Sequence, residues 1–351
     1  MNKDLLYKEL ENWYEMNHRI LPWRETDDPY KIWISEIILQ QTRVAQGMEY
    51  YHRLITRFPD IQTLADAQED EVLLYWQGLG YYSRARNMHK AAQLMKNHNL
   101  FDRIIGEPED IFAALRSMPG VGDYTAGAIA SFAFNLPYPA LDGNVYRVLS
   151  RLYDCEIAFD STQGKKHFRR LAEQLLDRER PRLFNSAIME LGALVCLPTK
   201  PLCIECPLNI WCKALANNTV ELLPVRKPRA KVRDRYLEYT IYISPDKKTL
   251  IHQRRGNDIW KHLWEFPLEE ALQRSDLQPI GRSSGAADLQ RSDLFVELTH
   301  VLSHQKLHAR FVIKKVSELP RIPDTLVVSL SDLDNYAFSR LTLNAIEKLL
   351  L

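Results

Sequence analysis

Met118-Pro119-Gly120-Val121-Gly122-Asp123-Tyr124-Thr125-Ala126 stands between two runs of helical periodicity, one ending near Arg116 and one running from about Asp123 through Ala130. Two helices therefore meet at a turn built on paired glycines. Gly120 and Gly122 lack a Cβ, so both are expected at positive φ, and both let backbone N–H groups come close to a ligand. The second helix would present unpaired N–H donors and the positive end of its dipole, a surface suited to an anion such as a DNA phosphate. An ordinary connection between antiparallel helices uses a similar turn, and the pattern alone weighs evenly between the two. The proline, and the small Ala126, Gly127 and Ala130 that permit close helix packing, favour the phosphate clamp.

Outward from this turn, apolar positions such as Ile34, Ile37, Ile38 and Ala45 recur at i, i+3 and i+4, and Leu64 to Trp76, Ile111 to Leu115 and Phe168 to Leu176 behave alike. The chain up to about residue 220 reads as all-α. Arg226 to Arg235 (RKPRAKVRDR) holds six basic residues, one acid and a proline without apolar periodicity, and reads as a linker. The period then changes to two: Leu237, Tyr239, Ile241 and Ile243 alternate with Glu238, Thr240, Tyr242 and Ser244, followed by the turn Pro245-Asp246 and a second strand at Leu250 to Gln253. Further strands are expected at Phe295 to Leu298, Leu307 to Ile313 and Thr325 to Leu330, with a closing helix from Ser339. The polar run Gly281 to Asp293 reads as a mobile loop. The expected fold is mainly α, a helical domain over 1–225, a basic linker over 226–235 and an α+β domain over 236–351, in keeping with a length beyond a single core.

An apolar fraction of 46% and a charged fraction of 26% are globular values, and no apolar run is long enough to span a bilayer. The N-terminus lacks the apolar stretch and cleavage site of a secretory signal, so a cytoplasmic protein with no membrane partner is expected. A net charge of only +1 means that a nucleic-acid partner would be held by local clusters and backbone donors.

Of five cysteines, Cys196, Cys203, Cys206 and Cys212 fall in the spacing C-x6-C-x2-C-x5-C, stiffened by Pro198, Pro201 and Pro207. Four clustered thiols in a cytosolic chain point to metal rather than disulfides, and the spacing suits tetrahedral zinc and an iron-sulfur cluster equally. Cys155 reads as a buried, inert thiol, and Trp211 as core.

Glu36 lies on a helix expected to be amphipathic, after Trp33-Ile34-Ser35. A lone Glu beside a core face is ordinarily solvated. Gln40 lies one turn on, however, and Gln41 and Thr42 add polar groups where an apolar stripe would continue. Asp142, in Leu141-Asp142-Gly143-Asn144-Val145, precedes a helix carrying Val145, Val148, Leu149 and Leu152, where an N-cap is its commonest role.

Together, Ser35 to Thr42, the glycine hairpin, Leu141 to Arg151 and the cysteine loop resemble the endonuclease III or helix-hairpin-helix superfamily, and within it the MutY-type adenine-DNA glycosylases of base excision repair. The likeness covers essentially the whole chain. It implies a helix-hairpin-helix glycosylase domain with one 4Fe-4S cluster on the four cysteines, acting as a monomer on double-stranded DNA that carries adenine opposite 8-oxoguanine or guanine. It implies Glu36 as general acid and Asp142 as the carboxylate facing the sugar cation. It places Arg19, Leu21, Trp23, Arg24, Tyr124, Asn144 and Glu190 at the adenine pocket. Leu39, Gln40, Gln41, Thr42, Tyr81, Gly120 and Gly122 are placed against DNA. Strand-cutting relatives carry a lysine at position 124, so Tyr124 implies base removal without strong lyase activity.

The segment with Trp260, His262 and Trp264 to Pro267, followed by His300 to His304, resembles the family's Nudix-like 8-oxoguanine recognition domain, with Ser303 and His304 as readers. Leu302 departs from the phenylalanine usual there. Glu269-Glu270 lacks the G-x5-E-x7-R-E-x2-E-E context of a magnesium-binding Nudix hydrolase. The chemistry asks for such residues. Adenine is a poor leaving group and needs a proton, which a Glu in an apolar pocket can give, while an ionised carboxylate offsets charge developing at C1′. Base flipping needs a wedge and a clamp. The alternatives are a glycosylase of the same fold for another base, or a non-catalytic iron-sulfur protein that binds DNA.

Overall fold

The computed structural model describes residues 2–98, 108–228, 232–271 and 294–350. The run Gly281 to Asp293 and linker residues Arg229 to Lys231 lie outside the described residues. Packing groups the chain into two compact units: Met1–Ala65 with Lys90–Pro228, and Asp66–His89 with Arg229–Leu351. The second unit thus takes a helical segment from far upstream of its sheets.

In chain order the helices are α1 (Lys3–Asn17), α2 (Pro29–Leu39), α3 (Val44–Arg57), α4 (Ile61–Asp66), α5 (Glu69–Trp76), α6 (Ser83–His98) and α7 (Pro108–Ser117). They continue as α8 (Asp123–Phe134), α9 (Gly143–Tyr153), α10 (Thr162–Leu175), α11 (Pro181–Leu194), α12 (Lys213–Ala216) and, after the sheets, α13 (Arg340–Leu349). The single run expected over Leu64 to Trp76 is two helices. Glu69, Asp70 and Glu71 crowd the first turn of α5, where acids complement a helix N-terminus, and so start a new helix.

In the first unit α2 begins on an N-cap, Asp28, whose side chain accepts from the Tyr30 and Lys31 N–H groups, with Pro29 at the first helical position. Its residues Ile32 through Ile38 are all buried, so α2 is a core helix rather than the amphipathic one expected. It also ends sooner, at Leu39, and Gln41 follows at φ 59°. A second core joins Leu6 and Leu10 of α1, Val145, Val148, Leu149 and Leu152 of α9, Phe168 of α10 and Ile188 and Leu191 of α11. Each aliphatic side chain fully buried there stabilises the fold by about 1.5–3 kcal/mol. Trp211 packs at its edge, and Cys155 is a free, buried thiol within it.

The hairpin between α7 and α8 is anchored by the buried Met118 and Val121. Gly120 turns at φ 80°, as expected. Gly122 does not: it caps α8 at φ −95° in extended backbone that any residue adopts. What its missing side chain leaves is open space, since a Cβ there would meet nothing within 4 Å.

In the second unit β1 (Arg233–Ile243), β4 (Leu268–Ala271), β5 (Phe295–Val301) and β6 (Gln305–Lys315) form a sheet of order β4-β1-β6-β5, while β2 (Lys248–Gln253), β3 (Trp264–Glu265) and β7 (Thr325–Ser329) form one of order β3-β2-β7. β1 runs parallel to β6, and the other pairs are antiparallel. The alternation read from the sequence appears directly: Leu237, Tyr239 and Ile241 are buried, and Tyr239 pairs with Phe311, ring on ring at 4.5 Å. β1 starts at Arg233, inside the stretch read as linker, because Arg235 is drawn in by a bidentate pairing with Glu270 at 2.7 and 2.6 Å.

Candidate active site

Glu36 is 0% exposed, and a carboxylate so placed needs partners. Arg24 provides Nη1 and Nη2, each 3.3 Å from Oε1, and the Tyr124 hydroxyl donates to Oε2 at 2.6 Å. Arg24 is itself held over the Phe132 ring, 3.6 Å from its centroid, and Arg182 donates to the Arg24 and Thr26 carbonyls at 3.4 and 2.6 Å, pinning the loop. The surroundings of Glu36 are therefore polar. The expectation of an apolar pocket is corrected, because Arg24 and Tyr124 converge on both oxygens. Burial, and then the charge of Glu36, push the Tyr124 hydroxyl well above its ordinary range, so it stays a proton donor.

Asp142 caps α9: Oδ1 accepts from the Val145 N–H at 2.7 Å and Oδ2 from Asn144 Nδ2 at 2.9 Å. Burial raises its carboxyl to about 6, with repulsion from Glu36 adding and the two hydrogen bonds opposing. Asp142 is thus a cap and a perturbed acid at once. Its loop is stapled by the buried Asn185, which accepts from the Ala140 N–H at 3.0 Å and donates to Ser131 Oγ at 2.8 Å and the Tyr138 carbonyl at 2.9 Å. Two glycines let neighbouring helices close on this loop. A Cβ on Gly127 would lie 2.6 Å from the Pro139 oxygen, and one on Gly192 would lie 2.7 Å from Asn144 Cβ.

Both acids line one cavity of about 530 Å³, within the range of small-ligand sites. Arg19, Leu21, Trp23, Arg24, Leu39, Gln40, Gln41, Thr42, Tyr124, Asn144 and Glu190 line it too, so the structure brings together these residues from five separate stretches of sequence. Glu190 takes Arg19 Nε at 2.6 Å, Nη2 at 2.8 Å and its backbone N–H at 3.0 Å. Gln40 Nε2 donates to Thr125 Oγ1 at 3.2 Å, while Gln41 is exposed. Sequence reasoning missed Tyr14, Ser186, Met189 and Ala193. The last three share the face of α11 that carries Glu190, at spacings of three and four, and that periodicity is the signal that finds them. Gly122 lines an adjoining cavity of about 360 Å³ that shares Tyr124 and Leu141.

Cys196, Cys203, Cys206 and Cys212 line a common small pocket. Arg151 Nη1 lies 3.3 Å from Cys196 Sγ, and Cys212 Sγ lies 3.4 Å from the Arg151 carbonyl. Arg147 reaches the same loop through Nε, 2.6 Å from the Cys196 carbonyl, and holds Asn144 Oδ1 through Nη2 at 2.9 Å. Neither arginine stood out in the sequence. Among the described residues, no three His, Cys, Asp or Glu side chains gather as ligands of a single metal ion.

In the second unit Ser303 and His304 are exposed at the turn between β5 and β6, with Ser303 Oγ 3.1 Å from His304 Nδ1. Tyr81 is exposed on the loop joining α5 to α6. Glu270, one of the two adjacent acids read as lacking a magnesium-binding context, is occupied by Arg235.

The HhH-GPD superfamily of base excision DNA repair proteins matches residues 34–177, and the NUDIX domain matches residues 238–348. An adenine DNA glycosylase of Buchnera aphidicola subsp. Baizongia pistaciae is 35% identical over 327 residues, spanning 89% of this chain and 88% of that protein. The chain belongs to the adenine DNA glycosylase family. It is accordingly an enzyme, a hydrolase of N-glycosyl bonds. The human adenine DNA glycosylase is 33% identical over 355 residues, covering 84% of this chain and 64% of its own. A thermostable thymine-DNA glycosylase structure superposes with a TM-score of 0.54 at 24% identity, over 61% of this chain and 97% of that one, and shares the fold of the family's helical part. No helix among the described residues is long and apolar enough to cross a membrane.

Proposed function

We propose that this chain flips adenine mispaired with 8-oxoguanine, or with guanine, out of duplex DNA and hydrolyses its N-glycosyl bond. The observation that carries the reading is the pairing of the buried Glu36 with the half-buried Asp142 on one cavity of about 530 Å³. With adenine in the cavity, Glu36 delivers a proton to a ring nitrogen as the bond from C1′ breaks and its electron pair leaves with the base. The carboxylate of Asp142 offsets the positive charge developing on the sugar, and water then adds at C1′ and gives its proton to Glu36, which restores the acid. Arg24 and Tyr124 hold Glu36 in place, and the Arg19–Glu190 pair lines the same cavity. Action as a monomer is part of the same proposal. Cytoplasmic residence belongs to the same proposal.

Base removal without strand cutting is part of the reading. Among the described residues, those lining the cavity include no lysine, and Tyr124 is committed to Glu36. Borohydride should therefore trap little or no adduct with abasic DNA. Leu39, Gln40 and Gln41 supply the wedge, the α7–α8 hairpin the phosphate contact, and Ser303 with His304 the readers of 8-oxoguanine.

The four cysteines fit a 4Fe-4S cluster, the group that the family resemblance implies. Their donor set is all sulfur, as the resembled family's cluster requires, and the Arg151 guanidinium beside Cys196 suits an anionic cluster. Bound there, the cluster cross-links a loop with little apolar core of its own.

The test is direct. Purified protein is incubated with duplexes carrying adenine opposite 8-oxoguanine, guanine or thymine, and alkali then reveals abasic sites. Cleavage at adenine opposite 8-oxoguanine and guanine is expected. Intact duplex with tight binding would leave a DNA-binding protein without the activity.

A further inference from the structure

The loop between α5 and α6 spends three left-handed residues in four positions: Gly78 at φ 95°, Gly80 at φ 78° and Tyr81 at φ 47°. A tyrosine holds that conformation only where its surroundings impose it. Here the surroundings are partly local. Trp76 Nε1 donates to the Gly80 carbonyl at 3.0 Å, Arg84 Nη2 reaches the same oxygen at 3.2 Å, and the Arg84 guanidinium lies 5.0 Å from the Trp76 ring and 5.7 Å from the Tyr81 ring. Leu79 is buried and Tyr81 is 52% exposed, so the loop is anchored at its centre and offers one aromatic ring at its tip.

The rest of the restraint comes from a residue more than 250 positions away. Gln77 Oε1 accepts from the Phe338 N–H at 2.8 Å, and the Tyr82 hydroxyl donates to the Phe338 carbonyl at 3.2 Å while accepting from the Gly78 N–H at 3.1 Å. The two side chains that bracket the loop thus grip both polar groups of one residue. Phe338 is 1% exposed, stacks on Phe266 at 5.9 Å, bridges to Trp264 through its backbone and directly precedes Ser339, the cap of α13. It is a firm anchor.

We propose that Gln77 and Tyr82 are positioning residues that tie the Tyr81 ring to the C-terminal segment through Phe338, so that this segment sets how Tyr81 stacks on DNA at the lesion pair. An exposed ring on a rigid loop offers a stacking surface for a base, and locking the loop beforehand removes the ordering cost of binding. The inference rests on the proposed preference for adenine opposite 8-oxoguanine and on Tyr81 touching DNA.

The full chain tests it through single-turnover excision rates on adenine opposite 8-oxoguanine and opposite guanine. Tyr81→Ala should lower the ratio of the two rates, and Gln77→Ala and Tyr82→Phe should each lower it about three- to tenfold, a coupling of the size found between contacting residues. The rate opposite guanine should hold in both positioning variants, which shows that they fold. Adding Tyr82→Phe to Tyr81→Ala should change the ratio no further, because the hydroxyl acts only through the ring it positions. Positioning variants with a wild-type ratio, beside a Tyr81→Ala variant that has lost it, would overturn the tie while leaving Tyr81 a reader. A Tyr81→Ala variant with an unchanged ratio would remove the reader and the proposal with it. A wild-type chain with no preference would instead sink the functional reading on which both stand.

Discussion

The chain buries the same trio twice. Glu36 is clasped by Arg24 and the Tyr124 hydroxyl, and Glu265, 3% exposed, by Arg254 at 2.9 and 2.8 Å and the Tyr239 hydroxyl at 3.2 Å. The second copy continues inward: His252 Nε2 lies 3.1 Å from Glu265 Oε1, and Arg254 also holds Asp258 at 2.8 Å and the Ile259 carbonyl at 3.0 Å. It is a strut that joins β2 to β3. The first copy opens on a cavity beside a second acid, Asp142, whose carboxyl is pushed up by burial and further by the charge of Glu36. A buried acid held by an arginine and a tyrosine is thus not a sign of catalysis in itself. Vacant volume and a like charge beside it are what mark the site.

Paired substitutions break the comparison most sharply. Glu36→Gln should lower excision by about 10²- to 10⁴-fold, the size expected for a lost general acid, with DNA binding largely kept. Glu265→Gln should do the reverse, retaining excision but costing roughly 3 kcal/mol, the lower end for breaking a buried pair because Asp258 still partners Arg254. Urea unfolding and single-turnover rates measure the two sides. Excision lost in the Glu265 variant, or kept in the Glu36 variant, would erase the distinction.

Asp142→Asn should lower excision by about 10²- to 10³-fold, while the amide still caps α9. Wild-type excision should fall roughly tenfold per pH unit below about 6, where the carboxyl takes up its proton. Stability runs the other way. Because the folded pKa lies above the ordinary value, the contribution of Asp142 is present at pH below that value and is lost as pH rises through about 6. The neutral variant escapes this loss, so its melting temperature relative to wild type should rise between about pH 4 and pH 7. A flat difference across that range would mean that Asp142 is an unperturbed cap.

The sequence was most legible where a residue type and a backbone need coincide. The turn at Gly120, the cap at Asp142, the period-two burial of Leu237, Tyr239 and Ile241, and the gathering of Glu36 with Asp142 all follow from local chemistry plus the resemblance. Gly122 misled because an N-cap glycine needs no positive φ. Helix α2 misled because a buried helix is apolar all round and hides its one acid among core residues. Arg24 and Tyr124 lie 12 and 88 positions from Glu36, so no window could show that they make its pocket polar. The grouping of 66–89 with the C-terminal chain was equally hidden, being written in pairs such as Gln77 with Phe338.

Cys203→Ser should lose the brown iron-sulfur absorbance and weaken both DNA binding and stability, with Glu36 and Asp142 untouched. Colourless wild-type protein with one equivalent of zinc would replace the cluster by a structural ion.

The smallest expected change in catalysis comes from the largest deletion, a stop after Pro228. Glu36, Asp142, the hairpin and the four cysteines all lie in the unit that remains, so excision of adenine opposite guanine should persist within about tenfold, or 1.4 kcal/mol, of the full chain. The cut is not clean, however. Residues 66–89 lose Phe338, and with it the partners of Gln77 and Tyr82, while Glu69 loses His262 and Arg86 loses the Lys261 carbonyl. The fragment should therefore melt lower than the full chain and show faster proteolysis within 66–89. Its preference for adenine opposite 8-oxoguanine should vanish, since specificity is a difference of binding free energies and Ser303, His304 and the hold on Tyr81 all go together. Rates and dissociation constants on both duplexes at one salt concentration measure this, because phosphate contacts make affinity salt-dependent. A fragment that discriminates as well as the full chain would place lesion reading in the catalytic unit and leave the C-terminal strut without a part in it.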